Sequence, residues 1–269
     1  MKVSCRLEIM RTDLATLPGS PERPNEDWAA AGLPASGAGG VMVLLDGVTP
    51  PAGDDGCVHT VPWFTARLGG ALTELSGSRR DMTLTEILSS AIERTANAHR
   101  DTCDLSHVRT PQATVVLARW DEAVVEHLVL SDSVLLLESP TGAVRAVLDD
   151  RLDRIPREIL RSLEATDRLR NREGGFFTAA ADPAVAERAV TGTTPRGEVR
   201  ALAALTDGAA RWVELFEAGT WADCLALLAK EGPHGLLDRV RARESADATA
   251  GGFRRWKLHD DATAAYAEL

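Results

Sequence analysis

Residues 113–138 read ATVVLARWDEAVVEHLVLSDSVLLLE. Three short runs rich in β-branched and aliphatic residues, ATVVLARW, AVVEHLVL and SVLLLES, are separated only by Asp121-Glu122 and Ser131-Asp132. Runs this short, joined by turns this tight, predict an antiparallel meander. PTGAVRAVL (140–148) continues it as a further turn and strand.

The segments on either side follow from their periodicity. Upstream, VPWFTARLGGALTEL (61–75) and TLTEILSSAIERTANAHR (83–100) carry apolar residues at helical spacing. Thr83 with Glu86 three residues later forms a capping-box pattern. VMVLL (41–45) reads as a fully buried strand that runs straight into Asp46-Gly47, and residues 3–9 alternate as a first strand ahead of the turn-rich loop LPGSPERPNED. Downstream, PREILRSLEATDRLRN (156–171) reads as a helix, and Glu173 to Gly197 as a Gly-, Ala-, Thr- and Pro-rich excursion over the surface. VRALAAL (199–205) is a second buried strand ending at Thr206-Asp207-Gly208. Three helical stretches follow between Ala209 and Ala248, and ATAAYAEL (262–269) is the last strand. With no repeat or linker, one domain over 1–269 is expected, built as a sandwich of antiparallel sheets covered by helices.

Composition narrows the function. The chain has 269 residues, 44% hydrophobic and 26% charged, with a formal net charge of −10. This balance argues against nucleic acid and against anionic membrane surfaces as partners. No stretch reaches the apolar length of a membrane span, and MKVSCRLEIMRTDL has no signal-peptide pattern. The four scattered cysteines, Cys5, Cys57, Cys103 and Cys224, contain no Cys-x-x-Cys pair. That argues against a thiolate zinc site and for free thiols in a reducing cytoplasm. A cytoplasmic monomer is expected.

Most carboxylates sit among basic residues on helices, where they are solvated. Four places differ. Glu26-Asp27 precede the apolar WAAAG, Asp46 and Asp207 each end a buried strand before a glycine, and Asp260-Asp261 precede the final strand. Each alone could be a turn. As a set of strand-end groups they can be brought together by folding, and converging carboxylates become protonated unless a cation sits among them. Oxygen ligands without a cysteine or histidine cluster suit Mg²⁺ or Mn²⁺.

The order of these motifs resembles the metal-dependent protein phosphatases of type 2C, over nearly the whole chain. RPNEDWAA (23–30), VMVLLDGV (41–48), the hairpin of 113–138 ending in Ser131-Asp132-Ser133, LAALTDGAA (202–210) and DDATAAYAEL (260–269) are similar to that family's successive motifs. The resemblance implies an α+β fold, a four-layer α-β-β-α sandwich in which two antiparallel sheets are flanked by helices. It implies two bound Mg²⁺ or Mn²⁺ ions. Asp46 would bridge them, with the carbonyl of Gly47 as a further ligand, Asp207 and Asp260 completing one shell, and Asp27 with Glu26 serving the other. Asp132 would serve a third, weaker ion. A hydroxide bridging the metals would attack the phosphorus, with no protein nucleophile.

Departures from the family pattern set further expectations. Gly47-Val48-Thr49-Pro50 lacks the histidine proposed in some members as the general acid, and His59 is the expected substitute. The family glycine before Asp132 is Ser131. Arg23 stands for the phosphate-gripping arginine, one place out of register. Thr206 replaces a serine and Asp261 an asparagine. The stretch from Glu173 to Gly197, with Gly174-Gly175 and Phe176-Phe177, matches a flap that influences substrate choice in relatives. The implied function is dephosphorylation of phosphoserine or phosphothreonine in proteins. The alternatives are the same chemistry on a small phosphorylated metabolite, or a non-catalytic binding or scaffold relative.

Overall fold

The computed structural model describes residues 10–36, 38–250 and 257–269. The strand expected at 3–9 lies outside the described residues, and the first described strand is β1 (Arg11–Leu17). There follow β2 (Trp28–Gly32), β3 (Gly40–Leu45), α1 (Val61–Ser78), α2 (Leu84–Asn97), β4 (Val115–Trp120), β5 (Val124–Leu130), β6 (Val134–Glu138) and β7 (Val144–Val147). The second half comprises α3 (Arg157–Leu160), α4 (Leu163–Leu169), β8 (Val190–Pro195), β9 (Ala201–Leu205), α5 (Asp207–Glu214), α6 (Trp221–Ala250) and β10 (Ala262–Glu268). Two five-stranded antiparallel sheets result, ordered β1-β10-β9-β6-β7 and β2-β3-β4-β5-β8.

Side-chain alternation explains both the layering and the unbroken apolar run at 41–45. Met42 and Leu44 of β3 point between the sheets, where they join Val116, Val129, Leu135, Leu202 and Ala265. Val41, Val43 and Leu45 point the other way, onto Phe64, Leu68 and Leu72 of α1 and Ile87 and Leu88 of α2. On the opposite side of the sandwich, Leu136, Ala203, Leu205 and Tyr266 pack on Trp212 of α5 and Leu225, Leu236 and Leu237 of α6. A strand buried on both faces has no polar face to show, so its sequence does not alternate. The fold is therefore α+β, in four layers α-β-β-α. Thr83 and Glu86 form the expected capping box at α2. At Gly232, with φ of 76°, α6 is broken before Pro233, which gives the three helical stretches expected after β9. Among the described residues no helix is long and apolar enough to cross a membrane.

Three expectations are corrected. The 113–138 stretch is not one meander: β4 pairs with β5, but β6 pairs with β7 and β9 in the other sheet. The chain changes sheets at Ser131-Asp132. Ser131 takes the left-handed conformation (φ 71°) that the family glycine would adopt freely, and its N–H is held by Asp149 Oδ2 at 2.8 Å. Residues 156–171 form two short helices, with Ser162 capping the second through the N–H of Ala165. The 173–197 stretch is not a surface excursion throughout. Phe176, Phe177, Val185 and Ala186 are buried. Val190–Pro195 is the edge strand β8, in register with β5 from Val129↔Val190 to Val124↔Pro195.

Replacing Val185–Thr193 with a Gly/Ser linker should therefore lower stability by more than about 2 kcal/mol, the scale of one buried valine side chain together with the cavity it leaves. Urea unfolding followed by circular dichroism measures this. An unchanged midpoint would mean that the segment lies outside the cooperative core.

Candidate functional site

Asp46 sits where β3 leaves the core. Its position is fixed through the backbone: its N–H donates to Thr114 Oγ1 (3.2 Å), and its carbonyl accepts from the N–H of Thr114 (2.9 Å). Thr114 is itself braced by Ser133 at 2.6 Å, a bond that crosses from one sheet to the other. Gly47 follows in a tight approach, since a Cβ there would lie 2.5 Å from the carbonyl oxygen of Glu26.

The same end of the sandwich receives the other strand-end carboxylates. Asp207 is the first residue of α5, directly after β9 and its cap residue Thr206. A Cβ on Gly208 would meet the carbonyl oxygen of Asp261 at 2.0 Å, so only glycine fits there. Asp27 accepts the hydroxyls of Thr263 (2.7 Å) and Thr206 (3.1 Å) through Oδ2, while its Oδ1 is buried without a hydrogen-bond partner. Asp132 lies on the sheet-changing turn beside Ser131, whose hydroxyl reaches its Oδ1 at 3.3 Å. Asp261 is used structurally: its two oxygens accept the backbone N–H groups of Gly19 (2.7 Å) and Glu26 (2.8 Å) and tie the first acidic loop to the last strand.

The charges of these groups act on one another. Burial, then the charges of Asp207, Asp27, Asp132 and Asp260, hold the Asp46 carboxyl well above its ordinary range. Burial pushes Asp27 up to about 8, against the Thr263 hydrogen bond and with Asp261 and Asp207 adding to it. Asp132 rises to about 7, by burial and then Asp207. Glu214, on α5, also rises to about 7, by burial and then the charges of Asp153 and Asp132. Burial likewise raises Glu26, opposed by its hydrogen bond from the Thr49 hydroxyl.

Asp260 differs from the rest. Its Oδ2 accepts from Arg211 (2.9 Å) and its Oδ1 from Lys257 (2.7 Å), so the chain supplies two cations to this carboxylate. Lys257 also donates to Thr49 Oγ1 (3.0 Å) and feels the charges of Asp46 and Asp207. Neither cation was legible as part of the site: Arg211 looks like a helix-surface residue, and Lys257 stands in no motif. The part Thr263 and Thr206 play in orienting Asp27 was likewise missed, although a hydroxyl residue beside a strand-end aspartate is visible in Thr206-Asp207.

The remaining expected residues are placed as follows. Arg23 is exposed on the loop before Glu26, close enough for its charge to act on that carboxyl. His59 is turned elsewhere. Its ring stacks on Trp63 at 3.9 Å and lies 6.0 Å from the ring of His99, so its placement gives the general-acid role no support. The scattered cysteines are not all apart in space: the donor atoms of Cys57, His99 and Cys103 all lie within 4.8 Å of one another.

Divalent cations fit the carboxylate cluster. Its donors are oxygens, its charge is in excess, and Asp27 presents a buried oxygen with no protein partner.

Comparison with solved structures finds the same fold in bacterial serine/threonine phosphatases. The chain is similar to serine/threonine phosphatase Stp1 from Staphylococcus aureus, at 14% identity and a TM-score of 0.64 over 97% of this chain and 95% of that one. The Mycobacterium tuberculosis serine/threonine phosphatase PstP/Ppp matches at 16% identity and a TM-score of 0.59, over 97% and 98% of the two chains. The catalytic domain of PstP in complex with two manganese ions matches at 16% identity and a TM-score of 0.56, over 96% and 97%. At these identities the likeness establishes the fold. No protein-family model matches the chain, and no curated protein sequence matches it.

The raised carboxyls set a pH dependence. The folded values of about 8 for Asp27 and about 7 for Asp132 lie above the unfolded value of about 4. Without metal, the contribution of these protonated groups to stability is complete below about pH 4 and is lost as pH rises through about 7 to 8. A divalent cation bound there would take the place of the protons. The rise in Tm on adding Mg²⁺ should therefore be larger at about pH 8 than at about pH 5.5. Differential scanning fluorimetry reads this, and equal shifts at both pH values would contradict an exchange of protons for metal.

Proposed function

We propose that this protein hydrolyses phosphomonoesters with the help of divalent cations, acting on phosphoserine and phosphothreonine side chains of other proteins. The observation that carries the reading is the convergence of Asp46, Asp207, Asp27, Asp132 and Asp260 at one end of the sandwich, with their charge in excess and Asp27 Oδ1 unpartnered. The shared fold with serine/threonine phosphatases supports it.

In this reading Asp46 would serve two cations, one held also by the Gly47 carbonyl, Asp207 and Asp260 and the other by Asp27 and Glu26. Asp132 is the candidate for a third ion. Cations there would supply Lewis acidity to an attacking water and draw charge off the phosphoryl oxygens. The chain's own residues supply the geometry. Thr206 and Thr263 orient Asp27, and Thr114 locks the backbone of Asp46. Arg23, on the exposed loop, carries the fork of donors that matches a phosphate, and Lys257 adds a second positive charge near Thr49.

Two observations favour other readings. The pinning of β8 as an edge strand leaves less of the 173–197 segment free to read a protein surface, which favours a small phosphorylated substrate. The pairing of Asp260 with Lys257 and Arg211 favours a non-catalytic relative in which side chains stand in for a metal.

One set of assays separates the three. Hydrolysis of p-nitrophenyl phosphate should require Mn²⁺ or Mg²⁺ and be abolished by EDTA. A phosphopeptide panel run beside a phosphorylated-metabolite panel should show turnover concentrated on the peptides. No turnover with any metal would support the non-catalytic relative. Within the active protein, Asp46→Asn should lower kcat by at least about 100-fold, the factor carried by a few kcal/mol of lost charge stabilisation. Wild-type turnover in that variant would remove Asp46 from the proposed metal-bridging position.

A further inference from the structure

A second cluster of metal-binding donors lies apart from the carboxylates, where the loop after β3 meets the end of α2. Cys57 comes from the loop, and His99 and Cys103 from the turn that ends the helix. The N–H of Cys103 donates to the carbonyl of His99 at 3.0 Å, a helical turn that puts both side chains on one face. Cys57 Sγ lies 3.4 Å from His99 Nδ1. Ligands of one tetrahedral ion at ordinary zinc–sulfur and zinc–nitrogen bond lengths sit about 3.5 Å apart, so the spacing matches. The spacing His99-x₃-Cys103 is also of the kind that presents two ligands from one local segment.

We infer that Cys57, His99 and Cys103 form a structural zinc site that staples the loop after β3 to the end of α2. Both sulfurs already accept backbone N–H groups, Cys57 Sγ from His59 and Cys103 Sγ from Val58, each at 3.4 Å. Such bonds stabilise metal-bound thiolates and fix their direction. His99 is buried, and its Nε2 has no hydrogen-bond partner. With the ring proton on Nε2, the Nδ1 lone pair faces the sulfur and is available to an ion. Neither cysteine is in a disulfide. The fourth tetrahedral position falls to a water.

The chemistry of this donor set separates it from the carboxylate cluster. Two thiolates and an imidazole select zinc over magnesium, whereas carboxylate oxygens favour the harder ion. The stapled loop is otherwise held by few bonds, among them the N–H of Asp104 to the Gly56 carbonyl at 2.7 Å. The same loop begins at Gly47 and carries Thr49, which contacts Glu26 and Lys257. An ion here would thus hold the backbone next to the carboxylates without touching a substrate.

The test uses the whole chain, purified under reducing conditions and dialysed against Mg²⁺. Elemental analysis should find one zinc per chain. Cobalt added to the zinc-free protein should give a thiolate-to-cobalt charge-transfer band together with the visible bands of a tetrahedral ion. Cys57→Ser and Cys103→Ser should each lose that band and bind zinc at least about 100-fold more weakly, while Cys224→Ser, in the distant α6 core, should keep both. The wild-type measurements stand alone if a variant fails to fold. A wild-type protein that takes up neither zinc nor cobalt overturns the inference, as does mass analysis showing a Cys57–Cys103 disulfide in freshly prepared protein.

Discussion

Several half-buried carboxylates facing one another resist ionising together unless positive charge is brought to them. Asp46, Asp207, Asp27, Asp132 and Asp260 meet under that constraint, and it sets the character of one whole end of the molecule. A fold free to minimise its own energy would not assemble them: burial and mutual repulsion both oppose ionisation. The remaining structure over-determines their positions. Asp46, Asp207 and Asp260 stand at the ends of strands buried in a close-packed sandwich. Asp132 stands on the turn that carries the chain from one sheet to the other. None can withdraw without disturbing a core layer.

Hydroxyl residues connect the two sheets at this end. Thr114 reaches Ser133 across the sandwich and Thr263 reaches Asp27 ahead of the other sheet, while Thr263 with Thr16 and Thr206 with the backbone of Thr263 brace neighbouring strands of one sheet. These neutral donors satisfy some of the carboxylate oxygens without neutralising them. The result is an array that is rigid in position and unsatisfied in charge, the condition under which a cation binds with little reorganisation. Asp261 shows the contrast. Placed one residue from Asp260, it spends both oxygens on backbone N–H groups and works as a clamp.

Sequence carried the local part of this and missed the long-range part. An apolar run ending in Asp-Gly is a local signal, so Asp46 and Asp207 were legible, as were the helices on either side. The sheet change at Ser131 was not: a left-handed serine looks like any tight turn, and only the partners of β6 reveal that it joins two sheets. Strand β8 was missed because an edge strand is exposed and polar, as the sequence TGTT at 191–194 shows. Cys57 and Cys103 are brought together by the packing of α1 on α2, which no spacing rule for adjacent cysteines could detect. His99 and Cys103, four residues apart at a helix end, were the available clue.

Asp260 shows how the protein manages charge that its fold cannot avoid. Arg211 holds one oxygen of Asp260 and is itself paired with the fully buried Glu244. Arg241 joins Glu244 and also donates to the Asp260 carbonyl at 2.6 Å. This chain of alternating charge runs from α6 to the start of β10, so part of the positive charge required at the cluster is built into the helix layer. Among the described residues, Asp46 and Asp27 accept no hydrogen bond from a side-chain cation of the kind Asp260 has; the charges that act on them most strongly are negative, and Lys257 reaches Asp46 only as a more distant charge. The division is physical: side-chain cations hydrogen-bond directly to Asp260, while Asp27 takes its hydrogen bonds from threonine hydroxyls. Positive charge at Asp46 is therefore not supplied by a directly bonded side chain, as it is at Asp260, and a hard divalent cation is the kind of charge that oxygen donors alone attract.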